Sequence, residues 1–409
     1  MKLELSIEAL GAKGDGIARE DGRPIFVPYA LPGERFEVVE HGSERADPVA
    51  ILQKSPERVE PPCPHFGACG GCDLQHAGPD LYRRFKRSLV IDALASRGLE
   101  TQVHDLAPCL PRTRRRAVFT AQRIGGSTVF GFHARLSDRI VPLHVCHVVV
   151  PAIADRLDAL RKLADLIAPR KGELRLTVTA SDAGLDIAAS DALKLDDKRR
   201  REIVSFAIGQ DFARLTVGSE TLVETRRPGV AIEAFRVEPP PGAFLQAVAS
   251  AEEAMASLVT AHLSGAKQTA DLFAGIGTFA LRLARKSAVR AFETDAPALA
   301  AIEKAKRTAS GLKPLSVERR DLFRRPVTAK ELGSFDALAF DPPRAGAEAQ
   351  SRELAISKVG RIAAVSCNPA TLARDCRILV DGGYKLLSVT PIDQFLWSHH
   401  VEAVALLER

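Results

Sequence analysis

The sequence predicts an α/β chain in three parts: an N-terminal OB-like β-barrel, a central α/β domain and a C-terminal Rossmann-like, doubly wound domain. Three observations predict it. Short alternating strands with glycine turns fill residues 1 to about 55, cysteines crowd into residues 63–72, and Gln268–Phe279 reads as strand, glycine loop and helix. With 409 residues the chain exceeds one ordinary core. Boundaries are expected at 1–57, 58–236 and 237–409, with the proline run Val237–Gly242 as the linker.

In the first part Leu3, Leu5 and Ile7 alternate, Gly11, Gly14 and Gly16 punctuate, and Ile25–Pro28 and Phe36–Val39 form further strands. The opening residues carry acids within an alternating strand, which is not signal-peptide chemistry. No stretch approaches the roughly 18 consecutive apolar residues of a membrane span. A cytoplasmic protein without membrane contact is expected, acting as a monomer.

Cys63, Cys69 and Cys72 follow one another with glycines between, so that three thiolates can converge. The fourth ligand is open at this point among Cys109, Cys146, His65, His76, His144 and His147. Zinc and a 4Fe-4S cluster both suit such a set. Seven unevenly spaced cysteines argue for metal or chemistry rather than a disulfide framework.

The middle of the chain alternates helical spacing (Ser88–Leu99, Ile153–Ile167) with strands at Leu174–Val178, Leu185–Ile187 and Ala213–Val217, and has no catalytic pattern of its own. Net charge is only +6, so its distribution matters more. Residues 81–123 hold ten basic groups against three acids, and Arg112 with Arg114, Arg115 and Arg116 is a candidate phosphate-binding surface. Lys198–Arg201 reads instead as a solvated face.

In the C-terminal part a helix is expected over Ala249–His262. The loop after the Gln268 strand has only Gly275 and Gly277, too few for a dinucleotide fingerprint. Asp271 before it, and Glu293, Asp321 and Asp341 at successive strand ends, favour the smaller adenosyl ligand S-adenosylmethionine, with Glu293 on the ribose diol. For Asp321, capping a helix is the alternative role. Ile362–Val365 is a buried strand, stopped by Asn368-Pro369, which opens a helix. Cys367 therefore sits at the sheet edge where ligands bind, beside a helix N-terminus that favours a thiolate.

Together these motifs resemble the uracil-5 RNA methyltransferases, most closely the TRAM-containing, iron–sulfur type acting on 23S ribosomal RNA, over nearly the whole chain. The resemblance implies a TRAM barrel at the N-terminus, a central domain with an Fe–S site, and a class I S-adenosylmethionine-dependent methyltransferase domain. It implies a 4Fe-4S cluster on Cys63, Cys69, Cys72 and Cys146. Cofactor contacts fall on Gln246, Phe273, Glu293 and Asp341, with Thr278 and Asp321 where the family often has asparagine. The nucleophile, in Ser-Cys-Asn-Pro, falls on Cys367, and the base, in His-Val-Glu, on Glu402. One departure precedes that base: Phe395-Leu396-Trp397-Ser398 stands in place of Phe-Pro-His-Thr, which leaves His399 without a family role.

The chemistry accounts for those residue types. Carbon 5 of uracil becomes nucleophilic only after a thiolate adds to carbon 6, and a base must then remove the carbon 5 proton. Arg344 and Asp341 are placed to meet the developing enolate or the uracil edge. The substrate expected is 23S rRNA, with tRNA as the alternative, and a second alternative is an RNA-binding or folding protein whose methylation is incidental. An adenine amino-methyltransferase would show an aromatic residue after Asp341-Pro342-Pro343, where this chain has Arg344.

Overall fold

The structure, a computed structural model, describes residues 2–42 and 44–409; Met1, where the first expected strand begins, lies outside them. The N-terminal part is a six-stranded sheet in the order Lys2–Ser6, Arg35–His41, Arg45–Gln53, Arg23–Val27, Gly16–Glu20 and Ala9–Leu10. Alternation explains it: Leu5, Ile7, Ile25, Val27, Phe36 and Val38 point inward and form one small core. Gly16 is required there, because a Cβ would lie 2.8 Å from the Ala30 carbonyl.

The central sheet has seven strands, ordered Ile140–Pro142, Ser127–His133, Arg116–Ile124, Leu174–Ser181, Gly184–Ser190, Arg214–Val217 and Glu220–Glu224. Leu157–Ile167 covers one face with Leu157, Leu160, Leu163 and Ile167 at helical spacing. The single helix expected over Ile153–Ile167 is two, Pro151–Ala154 and Leu157–Ile167. Between them Arg156 turns away to the Gln210 carbonyl and lies over the Phe212 ring. The Lys198–Arg201 run is, as expected, on the mostly exposed face of Asp197–Gly209, whose N-terminus Asp196 caps.

The C-terminal sheet runs Leu315–Arg319, Ala288–Glu293, Gln268–Leu272, Ala337–Phe340, Arg361–Ser366, Glu402–Glu408, Lys385–Ile392 and Gln102–Val103. The first five strands are parallel, and only Glu402–Glu408 runs against its neighbours. Chain order reverses between Gln268–Leu272 and Ala337–Phe340, which opens a crevice at their C-terminal ends. The antiparallel strand starts at that same edge, so Glu402 enters the crevice from the strand's beginning.

Two stretches are more deeply committed than their composition suggested. The helix expected at Ser88–Leu99 is Pro79–Ala95: its charged first turns hide the apolar stripe of Leu81, Tyr82, Phe85 and Val90, and Pro79 sets its start. It contacts the helix Pro369–Asp381, and Gln102–Val103 extends the C-terminal sheet, so this middle segment is part of the wall of the C-terminal core. The linker Val237–Gly242 is likewise pinned. Arg214 donates to the Pro239 carbonyl at 2.8 Å and Arg116 to that of Gly242 at 3.3 Å.

Candidate active site

The crevice holds a cavity of about 480 Å³ lined by Gln246, Phe273, Thr278, Glu293, Asp321, Asp341, Cys367 and Glu402, within the usual range for small-molecule sites. All eight residues named from the sequence for cofactor and catalysis thus meet in one space, although they span more than 150 positions of chain.

Each is placed by local chemistry. The strand Gln268–Leu272 ends in Phe273, whose φ of 61° is left-handed, and Gly275 and Gly277 continue the tight turn. The Glu293 carboxylate accepts from Gly275 N at 3.0 Å and from Thr294 N and Asp295 N, so it fixes the glycine loop while lining the cavity. Asp321 accepts from Phe323 N and Arg324 N and so holds a turn rather than capping a helix, the next helix being capped by Thr328, and it borders the cavity as well. Cys367 sits in a turn locked by Asn368, whose Oδ1 accepts from Ala370 N and whose Nδ2 donates to the Arg344 carbonyl at 3.1 Å. One asparagine therefore joins the two loops that carry Cys367 and Arg344.

Electrostatics correct the thiolate expectation. Burial, with the carboxylates of Glu402 and Asp341 adding to it, pushes the Cys367 thiol up to about 11, and Arg344 only partly offsets this. A helix N-terminus is outweighed by two acids in a half-buried site. The acids themselves are deep in the molecule: burial first, then mutual repulsion, raises Glu402, and burial raises Asp341, so both hold protons more tightly than exposed carboxylates.

The arginine run is also corrected at Arg114, Arg115 and Arg116, whereas Arg112 stays exposed. Arg114 donates to the Arg116 carbonyl and lies over the Phe395 ring. Arg115 donates to the Gln246 carbonyl and pairs with buried Glu252 at 2.5 Å; Arg116 donates to Ala243 and Gly242. Arg282 joins Glu252 at 3.2 Å and donates to the Thr278 carbonyl. These arginines brace the cavity walls and are spent on internal partners. Arg84 is likewise paired with Glu57, and Arg87 holds the Val103 carbonyl.

Residues that the sequence reading missed complete the site. Gln394, fully inside, donates to Glu402 and to Gln246, and Gln246 donates to Asp341 at 2.7 Å. Beneath it, Lys86 pairs with Asp393 at 2.6 Å and Tyr82 donates to the same carboxylate at 2.7 Å, all three buried. The signal was present as the polar pair Asp393-Gln394 at the end of an apolar strand. His399 is not in the cavity; its Nδ1 meets Asp73 at 2.7 Å, and Asp73 N and Leu74 N both donate to the Trp397 carbonyl.

A second cavity, of about 290 Å³, is lined by Cys63, Cys69, Cys72 and Cys146, with His65 and His147. Cys109 lies elsewhere, beside Asp393 and Lys86, and His76 is buried beside Tyr29 and Phe66. Burial and the neighbouring sulfurs raise Cys63, Cys69 and Cys72, although hydrogen bonds oppose the rise, and Cys72 reaches about 12. Among the described residues no group of three or more His, Cys, Asp or Glu is arranged as a site for a metal ion.

A glycine-turn crevice at the switch point, with acids at successive strand ends, is a place for an adenosyl ligand, and the comparisons with known proteins give the class, an S-adenosylmethionine-dependent methyltransferase. The tRNA (Uracil-5-)-methyltransferase family matches residues 186–409 and the TRAM domain residues 2–39. An uncharacterized RNA methyltransferase of Brucella suis is 51% identical over 99% of this chain and 98% of its own. A 23S rRNA (uracil(1939)-C(5))-methyltransferase of Shewanella sediminis is 32% identical over 100% of this chain and 96% of its own. The fold matches that of the Pyrococcus abyssi tRNA (uracil-54, C5)-methyltransferase, solved with S-adenosyl-L-homocysteine, at a TM-score of 0.77 and 21% identity over 99% of both chains. This chain belongs to the tRNA (uracil-5-)-methyltransferase family, as a TRAM-bearing, S-adenosylmethionine-dependent RNA methyltransferase.

Proposed function

We propose that the protein methylates carbon 5 of a uridine in 23S rRNA through a covalent adduct on Cys367, with Glu402 as the base. The observation that carries this reading is one cavity shared by a lone thiol, two raised carboxylates and the glycine-loop crevice. Bound S-adenosylmethionine supplies the methyl group as an electrophilic sulfonium. Phe273, Thr278, Glu293 and Asp321 line the crevice that would hold it, and Gln246 and Asp341 line the same cavity. Cys367 gives its proton to solvent as its sulfur bonds to carbon 6, so the ring gains enolate character, which Arg344 is placed to stabilise. Carbon 5 takes the methyl group. Glu402 then accepts the carbon 5 proton, the carbon 6–sulfur bond breaks, and the ring double bond returns as the thiolate leaves.

The target must leave its stack to enter. Phe244 and Phe323, 66% and 50% exposed at the cavity rim, offer faces for one or two bases. The choice of 23S rRNA over tRNA rests on the full-length relative that acts on it. Mapping 5-methyluridine in total RNA with and without the gene tests that choice: loss at a 23S position is expected, and loss only from tRNA overturns it.

The same reading gives Cys63, Cys69, Cys72 and Cys146 a 4Fe-4S cluster. Four soft sulfur donors around one cavity fit it, and Gly71 N donates to Cys69 Sγ at 3.4 Å, a contact that favours a thiolate.

A further inference from the structure

We propose that Gln394 is a positioning residue for the base: its amide orients the Glu402 carboxylate and ties it to the Gln246–Asp341 pair. This rests on Glu402 being the base. The orientation of the amide follows from a donor that cannot reverse. Ala247 N donates to Gln394 Oε1 at 2.8 Å, so the Nε2 group must face the other way. There its two hydrogens serve Glu402 Oε2 at 2.5 Å and Gln246 Oε1 at 2.8 Å. With its Oε1 used as an acceptor, Gln246 turns its own amide to Asp341 Oδ2. A single backbone N–H thus sets the polarity of a chain that ends on two carboxylates.

Among the described residues Gln394 makes the only side-chain hydrogen bond to Glu402, which leaves Oε1 for the carbon 5 proton. The bond favours the ionised, proton-accepting form against the burial that opposes it. The backbone carrying Gln394 is itself fixed, because Asp393 next to it is held by Lys86 and Tyr82. The charged groups around Glu402 are Asp341 on the facing strand end, Cys367 on the neighbouring one with Arg344 beyond it, and the Lys86–Asp393 pair on its own side. His400, two residues away, is held neutral, mainly by burial. None of these replaces a neutral donor aimed at Oε2.

The test uses the full-length protein and RNA tritiated at uracil carbon 5, with tritium release and methyl incorporation followed across pH. Gln394→Met removes the donor. Methyl incorporation in one turnover should persist, while the pH at which tritium release is half-maximal should rise by about one to two units, the size of a lost hydrogen bond to a charged group. The sign follows from the chemistry: release needs the ionised base, and a raised pKa moves that form to higher pH. Gln394→Asn keeps a polar amide but is one methylene too short to reach Glu402, so its shift has the same direction, and it decides alone should Gln394→Met not fold. Profiles that superpose on the wild type, or a loss uniform across pH, overturn the positioning role. Wild-type tritium release by Glu402→Gln overturns the base assignment instead.

Discussion

The protein uses cysteine in two cavities of opposite character. Cys63, Cys69 and Cys72 are raised thiols that share their cavity with Cys146, so they have other sulfurs for neighbours and glycine-rich backbone around them. Around Cys367 there is one sulfur, two carboxylates and Arg344. Burial raises thiols in both places, but what must offset the cost of a thiolate differs. Four sulfurs lining one cavity suit the proposed cluster, whereas a lone sulfur beside acids suits a substrate carbon and a route for protons. Residue type is the same in both cavities, and the company each cysteine keeps decides its chemistry.

The largest effect that can break this contrast is at Cys367. Cys367→Ala should abolish methylation and leave no RNA adduct on a denaturing gel, while iron content and melting temperature stay near wild type; full turnover would end the covalent reading. Next, Glu402→Gln should slow release of the carbon 5 proton by about 10²- to 10⁴-fold, the range of general-base catalysis. The methylated protein–RNA adduct should then accumulate, as radiolabel from the cofactor would show. In the wild type, product release should climb with pH toward about 8, because burial and Asp341 raise the Glu402 carboxyl to that value.

At the other cavity Cys69→Ser should lose iron and lower the melting temperature. Stoichiometric zinc with no iron in anaerobically purified wild type would refute the cluster. Between the cavities, Lys86→Met leaves Asp393 buried without its cation and should destabilise the fold by about 3–5 kcal/mol, measurable by urea unfolding. A stability loss below about 1 kcal/mol would mean that the pair is solvated. The smallest effect concerns salt. Arg114, Arg115 and Arg116 are engaged internally, so conservative changes there should leave the slope of log RNA affinity against log salt unchanged; a flatter slope would return them to the RNA surface.

Local pattern made much of this molecule legible from sequence alone. The strand–glycine–helix order, the helix Ala249–His262, the strand before Cys367 and its Asn368-Pro369 stop follow from periodicity and turn chemistry, which act over a few residues. Motif resemblance added Glu402, whose local context alone reads as a surface acid, and Cys146 over Cys109. The tertiary structure decided what depends on distant partners. It turned Arg115 and Arg116 from a phosphate surface into braces for Gln246 and Ala243, because their acceptor carbonyls lie more than 100 positions away, and it set Arg114 over the Phe395 ring. It made the Pro79–Ala95 helix a wall of the catalytic core through Lys86 and Asp393, and it placed Gln394 between two acids. Charge state and hydrogen-bond direction are set by what surrounds a group in space, and the order of residues along a chain carries that only where neighbours in sequence are also neighbours in the fold.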